Sequence, residues 1–147
     1  MGFLVFFVDQ LSKYWVVQRF SPGEMIDIIP GFFQLTYVRN YGAAFGILRY
    51  HTSIFIVISL FMVFVVIIFG PRFISTRYVM LRFAMALLLG GTLGNLSDRI
   101  VRGYVVDFFD FLFWPVFNIS DIAIVLGIGL VIFSLLRSES LFQDHKR

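Results

Sequence analysis

The chain has 147 residues, 59% hydrophobic, 19% aromatic and only 14% charged, with a mean hydropathy of +0.89 and a formal charge of +3. Such a chain has too little polar surface to coat a water-soluble globule, so the bilayer is the solvent that fits, and its length suits one compact domain. The absence of cysteine excludes disulfides and thiol chemistry, two histidines (His51, His145) leave little for a metal site or a His-based triad, and no basic run points to nucleic acid.

A membrane-spanning helix needs roughly 17 to 25 mostly apolar residues. The first candidate covers about residues 1–17. Residues 2–8 are purely apolar, and Asp9, Gln10, Ser12 and Lys13 follow. The stretch is helix-compatible throughout, its two charges lie four apart on one face, and without a charged n-region or small-residue cleavage site it reads as a helix that stays. Ser21-Pro22-Gly23 and Pro30-Gly31 then mark two turns. Residues 32–38 alternate, with Phe33, Leu35 and Tyr37 on one side and Gln34 and Thr36 on the other, the period of a strand. A small sheet on the membrane surface is expected within residues 21–50, closed by the glycine-containing stretch 40–46, where Gly42, Ala43 and Ala44 would let backbone or lipid approach closely.

Three further spans are expected at about 52–69, 78–96 and 119–136. Gly90, Gly91 and Gly94 suggest close helix packing in the third. Gly103 opens a second non-helical stretch whose aromatic residues at 108–114 suit a membrane–water interface. The expected fold is all-α in the membrane, one domain over residues 1–147 with four spanning helices and a small β element between the first two. Orientation is barely encoded in charge. Arg72, Arg77, Arg82, Arg137, Lys146 and Arg147 fall on the side of the termini, and Lys13, Arg19, Arg39, Arg49, Arg99 and Arg102 on the other. That balance favours cytoplasmic termini only through shorter loops.

Of nine carboxylates, Glu24, Asp27, Glu139 and Asp144 fall in loops or the tail, whereas Asp9, Asp98, Asp107, Asp110 and Asp121 lie in or beside apolar segments. A carboxylate near the bilayer centre costs about 2.5 to 3.5 kcal/mol on insertion scales, so each needs a partner or a purpose. The topology gathers these five towards one membrane face, with Asn40, Asn95, Asn118, Lys13 and Arg99. Two carboxylates in a partly dry pocket cannot both ionise easily. One can therefore activate water while the other supplies a proton, with neither metal nor thiol. Asp9 with Lys13, and Asp98 with Arg102, have the spacing of structural ion pairs. Asp110 is a second possible partner for Asp107, and Asp121 could equally serve only as a favourable first-turn carboxylate.

The strings Asp9-Gln10-Leu11-Ser12-Lys13, Asn40-Tyr41-Gly42-Ala43-Ala44-Phe45, Gly94-Asn95-Leu96-Ser97-Asp98-Arg99, Val105-Val106-Asp107-Phe108 and Phe117-Asn118-Ile119-Ser120-Asp121 resemble, in order, the signature motifs of the lipoprotein signal peptidases (signal peptidase II). The resemblance covers roughly residues 5 to 130. It implies an aspartyl endopeptidase that cuts the signal peptide from bacterial prolipoproteins just before a diacylglyceryl-modified cysteine. It further implies catalytic Asp107 and Asp121, and Asn40, Gly42, Asn95, Arg99 and Asn118 at the substrate pocket, supported by Asp9 and Lys13. No cofactor or metal is expected. The expected partners are the lipidated prolipoprotein and membrane lipids, and the chain is expected to act as a monomer. The resemblance places the termini in the cytoplasm, with the sheet and active site near the outer face of the cytoplasmic membrane. The chain departs from the family at Ser120, where alanine is usual and where a hydroxyl could reach the acid pair, and its first span is shorter at the front. A small transporter or lipid-binding protein that uses its intramembrane acids is the alternative, and a purely structural subunit is a third.

Overall fold

The computed structural model describes residues 1–42, 51–73 and 79–144, with side chains described through Arg137 except that of Phe73. Ala43, Ala44, His145 and the side chains of Glu139 and Asp144 fall outside that description. Four helices and three strands follow in the order α1 (Gly2–Arg19), β1 (Met25–Ile29), β2 (Phe33–Asn40), α2 (Thr52–Phe69), α3 (Val79–Arg102), β3 (Val105–Asp110) and α4 (Ile119–Asp144). Three stretches, Thr52–Arg72, Val79–Arg102 and Ile119–Arg137, are long and apolar enough to cross a membrane. A helix satisfies its backbone internally, the condition a hydrocarbon solvent imposes on any exposed segment. The outward side chains agree: Val57, Ile58, Phe61, Phe64, Ile67 and Ile68 of α2 are all exposed.

The helix α1 is not among those three, because it carries Asp9, Lys13 and Arg19. Its polarity is arranged inside out. Asp9 and Lys13 are fully buried, whereas Phe3, Leu4, Phe7, Leu11, Tyr14 and Trp15 point outward. The two charges in its middle face the protein, Arg19 is exposed at its end, and the outer surface along residues 3–15 is largely apolar.

The central helix α3 packs against α1, α2 and α4, while α2 and α4 form no extensive contact with one another. Glycines set the closest approaches. A methyl group at Gly91 would come within 2.6 Å of the Ser120 carbonyl oxygen, and one at Gly94 within 2.6 Å of Asp9 Oδ2. The expected close packing of the third helix is therefore seen. That helix also runs six residues past the expected end at 96. Ser97, Asp98 and Arg99 read as an exit from hydrocarbon, yet Asp98 is buried and the helix continues to Arg102. It stops at Gly103, whose φ of +79° and N–H bond to the Arg99 carbonyl (3.1 Å) form a left-handed C-terminal cap.

The sheet corrects one expectation. It is antiparallel, in the order β1-β2-β3, and its third strand comes from the stretch after Gly103 rather than from between the first two helices. The period-two signal that exposed β2 is missing from β3, Val-Val-Asp-Phe-Phe-Asp, because its first four residues are all buried. Phe108 is correspondingly not an interface anchor. It sits with Val16, Phe20, Tyr37 and Val106 in the core where α1 meets β2 and β3, and only Leu112, Phe113 and Trp114 of that aromatic run are strongly exposed. The polar side of β2 is also covered: Gln34 donates to Asp110 Oδ2 (2.6 Å) and Thr36 to the Glu24 carbonyl (3.1 Å).

Candidate active site

The first turn of α4 fixes one carboxylate. Asn118 Oδ1 accepts from the Asp121 N–H (3.0 Å), and Asp121 Oδ2 accepts from the Asn118 N–H (3.1 Å). This reciprocal arrangement, three residues apart, is a capping box with the acid at its third position, and it locks the Asp121 rotamer. The other oxygen, Oδ1, accepts from Asn95 Nδ2 of α3 (2.8 Å). Asp121 does favour the helix start, but its carboxylate is also tied to a second helix.

The second carboxylate comes from β3. Antiparallel pairing sets Val38 opposite Asp107 and Asn40 opposite Val105, so the end of β2 lies over the acid. Asn40 Nδ2 donates to Asp107 Oδ2 (2.8 Å) and Asn118 Nδ2 to Asp107 Oδ1 (2.6 Å). Asn118 therefore touches both carboxylates. Asp107 is 2% exposed, and burial, reinforced by repulsion from Asp121, raises its pKa to about 7 although both amides favour the ionised form. Each carboxylate keeps lone pairs beyond those used by its amides. Two such groups, one retaining a proton near neutrality, can take a proton from water and deliver one to a carbonyl.

Behind the pair lies a buried ionic cluster. Lys13 Nζ, fully buried, meets Asp9 Oδ2 at 2.8 Å, Asp98 Oδ2 at 3.0 Å and Asn95 Oδ1 at 2.9 Å. Arg102 pairs with Asp98 one turn further along α3. The expected i,i+4 pairs are both present, and Lys13 joins them. Each cluster carboxylate also grips the backbone just before one of the cavity aspartates: Asp98 Oδ2 accepts from the Val106 N–H (3.1 Å) and Asp9 Oδ1 from the Ser120 N–H (2.9 Å). By bonding Asn95 Oδ1, Lys13 also fixes that amide so that its NH2 faces Asp121.

A cavity of about 400 Å³ opens beside the pair between α2, α3 and α4. Asn40, Gly42, Asn95, Arg99, Asp107 and Asp121 line its polar end, and Ile58, Met62, Ile124 and Val125 its apolar wall. Arg99 reaches the Gly42 carbonyl (3.5 Å) and lies over the Phe55 ring (5.0 Å). Of the nine residues singled out in the sequence, six meet at the cavity. Asn118, Asp9 and Lys13 stand behind it. Asp110 is not among the lining residues; it bonds Gln34 and the Leu112 N–H instead. Ser120 does not reach the pair. Its buried hydroxyl lies against Gly94 and Asp9 and has no hydrogen-bond partner among the described residues. Sequence reasoning missed Gln10, which donates to Asp9 and to the Gly94 carbonyl, and the two cavity hydroxyls of Ser59 and Thr92. Polar residues interrupting apolar helices were the available signal. Among the described residues, no three His, Cys, Asp or Glu side chains gather to hold a metal ion.

Residues 1–137 match the family model for signal peptidase (SPase) II. A lipoprotein signal peptidase of Moorella thermoacetica is 46% identical over 136 residues, covering 92% of this chain and 90% of its own. That of Pasteurella multocida is 43% identical over 144 residues, covering 92% and 86%. A bacterial membrane enzyme solved at 2.3 Å by the in meso method superposes with a TM-score of 0.85 at 35% identity, over 95% of this chain and 87% of that one. With its apolar helices, its motif series and these relatives, the chain is a multi-pass membrane protein belonging to the signal peptidase II family.

Proposed function

We propose that this protein is an aspartyl endopeptidase that removes the signal peptide from diacylglyceryl-modified prolipoproteins, with Asp107 and Asp121 as its catalytic pair. The carrying observation is that these two carboxylates, bridged by Asn118, line the polar end of a cavity that is otherwise apolar. One carboxylate draws a proton from water as its oxygen bonds the scissile carbonyl carbon, and the protonated partner gives its proton to the carbonyl oxygen. The tetrahedral intermediate collapses as the C–N bond breaks and the leaving nitrogen takes a proton, and the pair again shares one. Asn40, Asn95 and Asn118 aim the carboxylates, Arg99 and Gly42 contact substrate, and Asp9 and Lys13 hold the frame.

The whole of residues 1–147 forms one domain with α1 as a fourth span, a reading supported by its inward charges and apolar outer surface. Its termini are cytoplasmic, and the sheet and cavity lie at the outer face of the cytoplasmic membrane. The protein acts as a monomer among membrane lipids. The substrate enters sideways, because α2 and α4 leave the cavity unsealed and the lining residues Ile58 and Val125 are exposed.

Two results are expected. Purified protein cuts a diacylglyceryl-modified lipobox substrate before the modified cysteine with EDTA present, and folded Asp121→Asn protein does not. Failure of the wild type to cut under these conditions would end the proposal, and proton-coupled uptake in proteoliposomes would then favour a transporter. Activity should also fall as pH rises through about 7, where Asp107 loses the proton that the pair must share. A rate profile flat from pH 6 to 9 contradicts that sharing.

A further inference from the structure

The cavity wall holds two hydroxyls that the proposed reaction does not use. Ser59 of α2 is 8% exposed and Thr92 of α3 is 5% exposed, and both line the cavity. Neither hydroxyl hydrogen-bonds to a described residue, and both open to the cavity rather than being sealed in the protein as that of Ser120 is. That is unusual, because a serine or threonine in an apolar helix ordinarily bonds back to the carbonyl one turn earlier. A hydroxyl that opens without a protein partner into a largely apolar cavity is a hydrogen-bonding group free to meet whatever the cavity receives.

Position says what arrives. Thr92 precedes Asn95 by three residues, so it lies about 4.5 Å from it along α3, on the side away from the sheet. Asn95 holds Asp121. The Thr92 hydroxyl is therefore about one turn deeper than the acid pair. A peptide bond within a helix is not presented for attack, so the substrate must unwind at the scissile bond. Its freed carbonyls then lie at membrane depth, where water does not reach them. An extended chain advances about 3.3 Å per residue, which puts the carbonyl one or two residues before the scissile bond at the level of Thr92. Resting on the peptidase reading above, we infer that Ser59 and Thr92 form a hydrogen-bonding subsite for a substrate carbonyl oxygen, that of the unwound signal-peptide backbone just before the cleaved bond.

The diacylglyceryl esters also carry carbonyls, and the experiment separates the two sources. Wild type, Ser59→Ala, Thr92→Val and Thr92→Ser are assayed on three lipobox substrates: the all-amide ester-lipid form, a form with ether-linked lipid, and a form with a backbone ester at the residue before the scissile bond or the one before that. The Ser59→Ala and Thr92→Val proteins should lose about tenfold in kcat/KM on the first substrate, the value of one neutral hydrogen bond, and Thr92→Ser should keep most activity. The loss should persist with ether-linked lipid and shrink with the backbone ester, a weaker acceptor. Wild-type rates in Ser59→Ala and in folded Thr92→Val overturn the subsite, and a loss that vanishes with ether-linked lipid overturns the backbone assignment. Should Thr92→Val not fold, Ser59→Ala and the substrate series decide. Wild-type cleavage with unaltered variants leaves the peptidase reading standing, whereas absence of wild-type cleavage brings that reading down first.

Discussion

An Asp107→Asn protein should fold and lose cleavage by at least about 10³-fold, the upper range for removal of a positioned acid–base group. The exchange is isosteric, and one of the amides of Asn40 and Asn118 must re-aim when an NH2 replaces a carboxylate oxygen. That rearrangement should cost about 1 kcal/mol. Against it stands a gain whose sign follows from the raised pKa of Asp107, about 7 against an ordinary carboxylate value of 3.8. The fold prefers the protonated acid, so this preference stabilises at low pH and is lost as pH rises through about 7. Wild-type Tm should decline between pH 5 and 8, and the Asp107→Asn curve should be flatter. Thermal unfolding in detergent, beside a cleavage assay, reads both effects. Cleavage retained at a tenth of the wild-type rate would remove Asp107 from the chemistry.

Replacement of Lys13 by Met should be the most destabilising single change in the site region. Its ammonium is fully buried and neutralises Asp9 and Asp98, which Arg102 alone would be left to balance. Breaking a buried pair by removing one partner typically costs about 3–5 kcal/mol, a large share of the roughly 5–15 kcal/mol that holds a domain together. A fall in Tm of about 10 °C or more is expected. Adding Asp9→Asn to Lys13→Met restores the charge balance and should recover part of the loss, a coupling that a double-mutant cycle measures. A single variant melting within about 3 °C of wild type would mean that the cluster contributes little.

Much of this site is readable in the chain because its chemistry is out of place there. Asp9, Lys13, Asp98 and Asp121 interrupt apolar helices, and four-residue spacing alone pairs Asp9 with Lys13 and Asp98 with Arg102. What the chain hides is tertiary. Lys13 bonds Asn95, 82 residues away, and no local pattern encodes that contact. Strand β3 is buried along its first four residues, so it lacks the alternation that exposed β2, and with it went the pairing that sets Asn40 over Asp107. The direction of Ser120 was equally hidden. One residue from Asp121 on a helix means a rotation of about 100°, which turns its hydroxyl to Gly94 and Asp9 rather than to the pair.

The inverted polarity of α1 also bears on how the protein is made. Asp9 and Lys13 leave the ribosome long before Asn95 and Asp98 exist, and until α3 is synthesised their charges can neutralise only each other. Their four-residue spacing makes the newborn helix self-balanced, so it can wait. Only when α3 arrives does Lys13 gain Asn95 and Asp98, and only when α4 follows does Asp9 gain the Ser120 N–H. The chain thus carries no assembled acid pair until its last helix is in place, and under the proposed mechanism a nascent fragment cannot cleave.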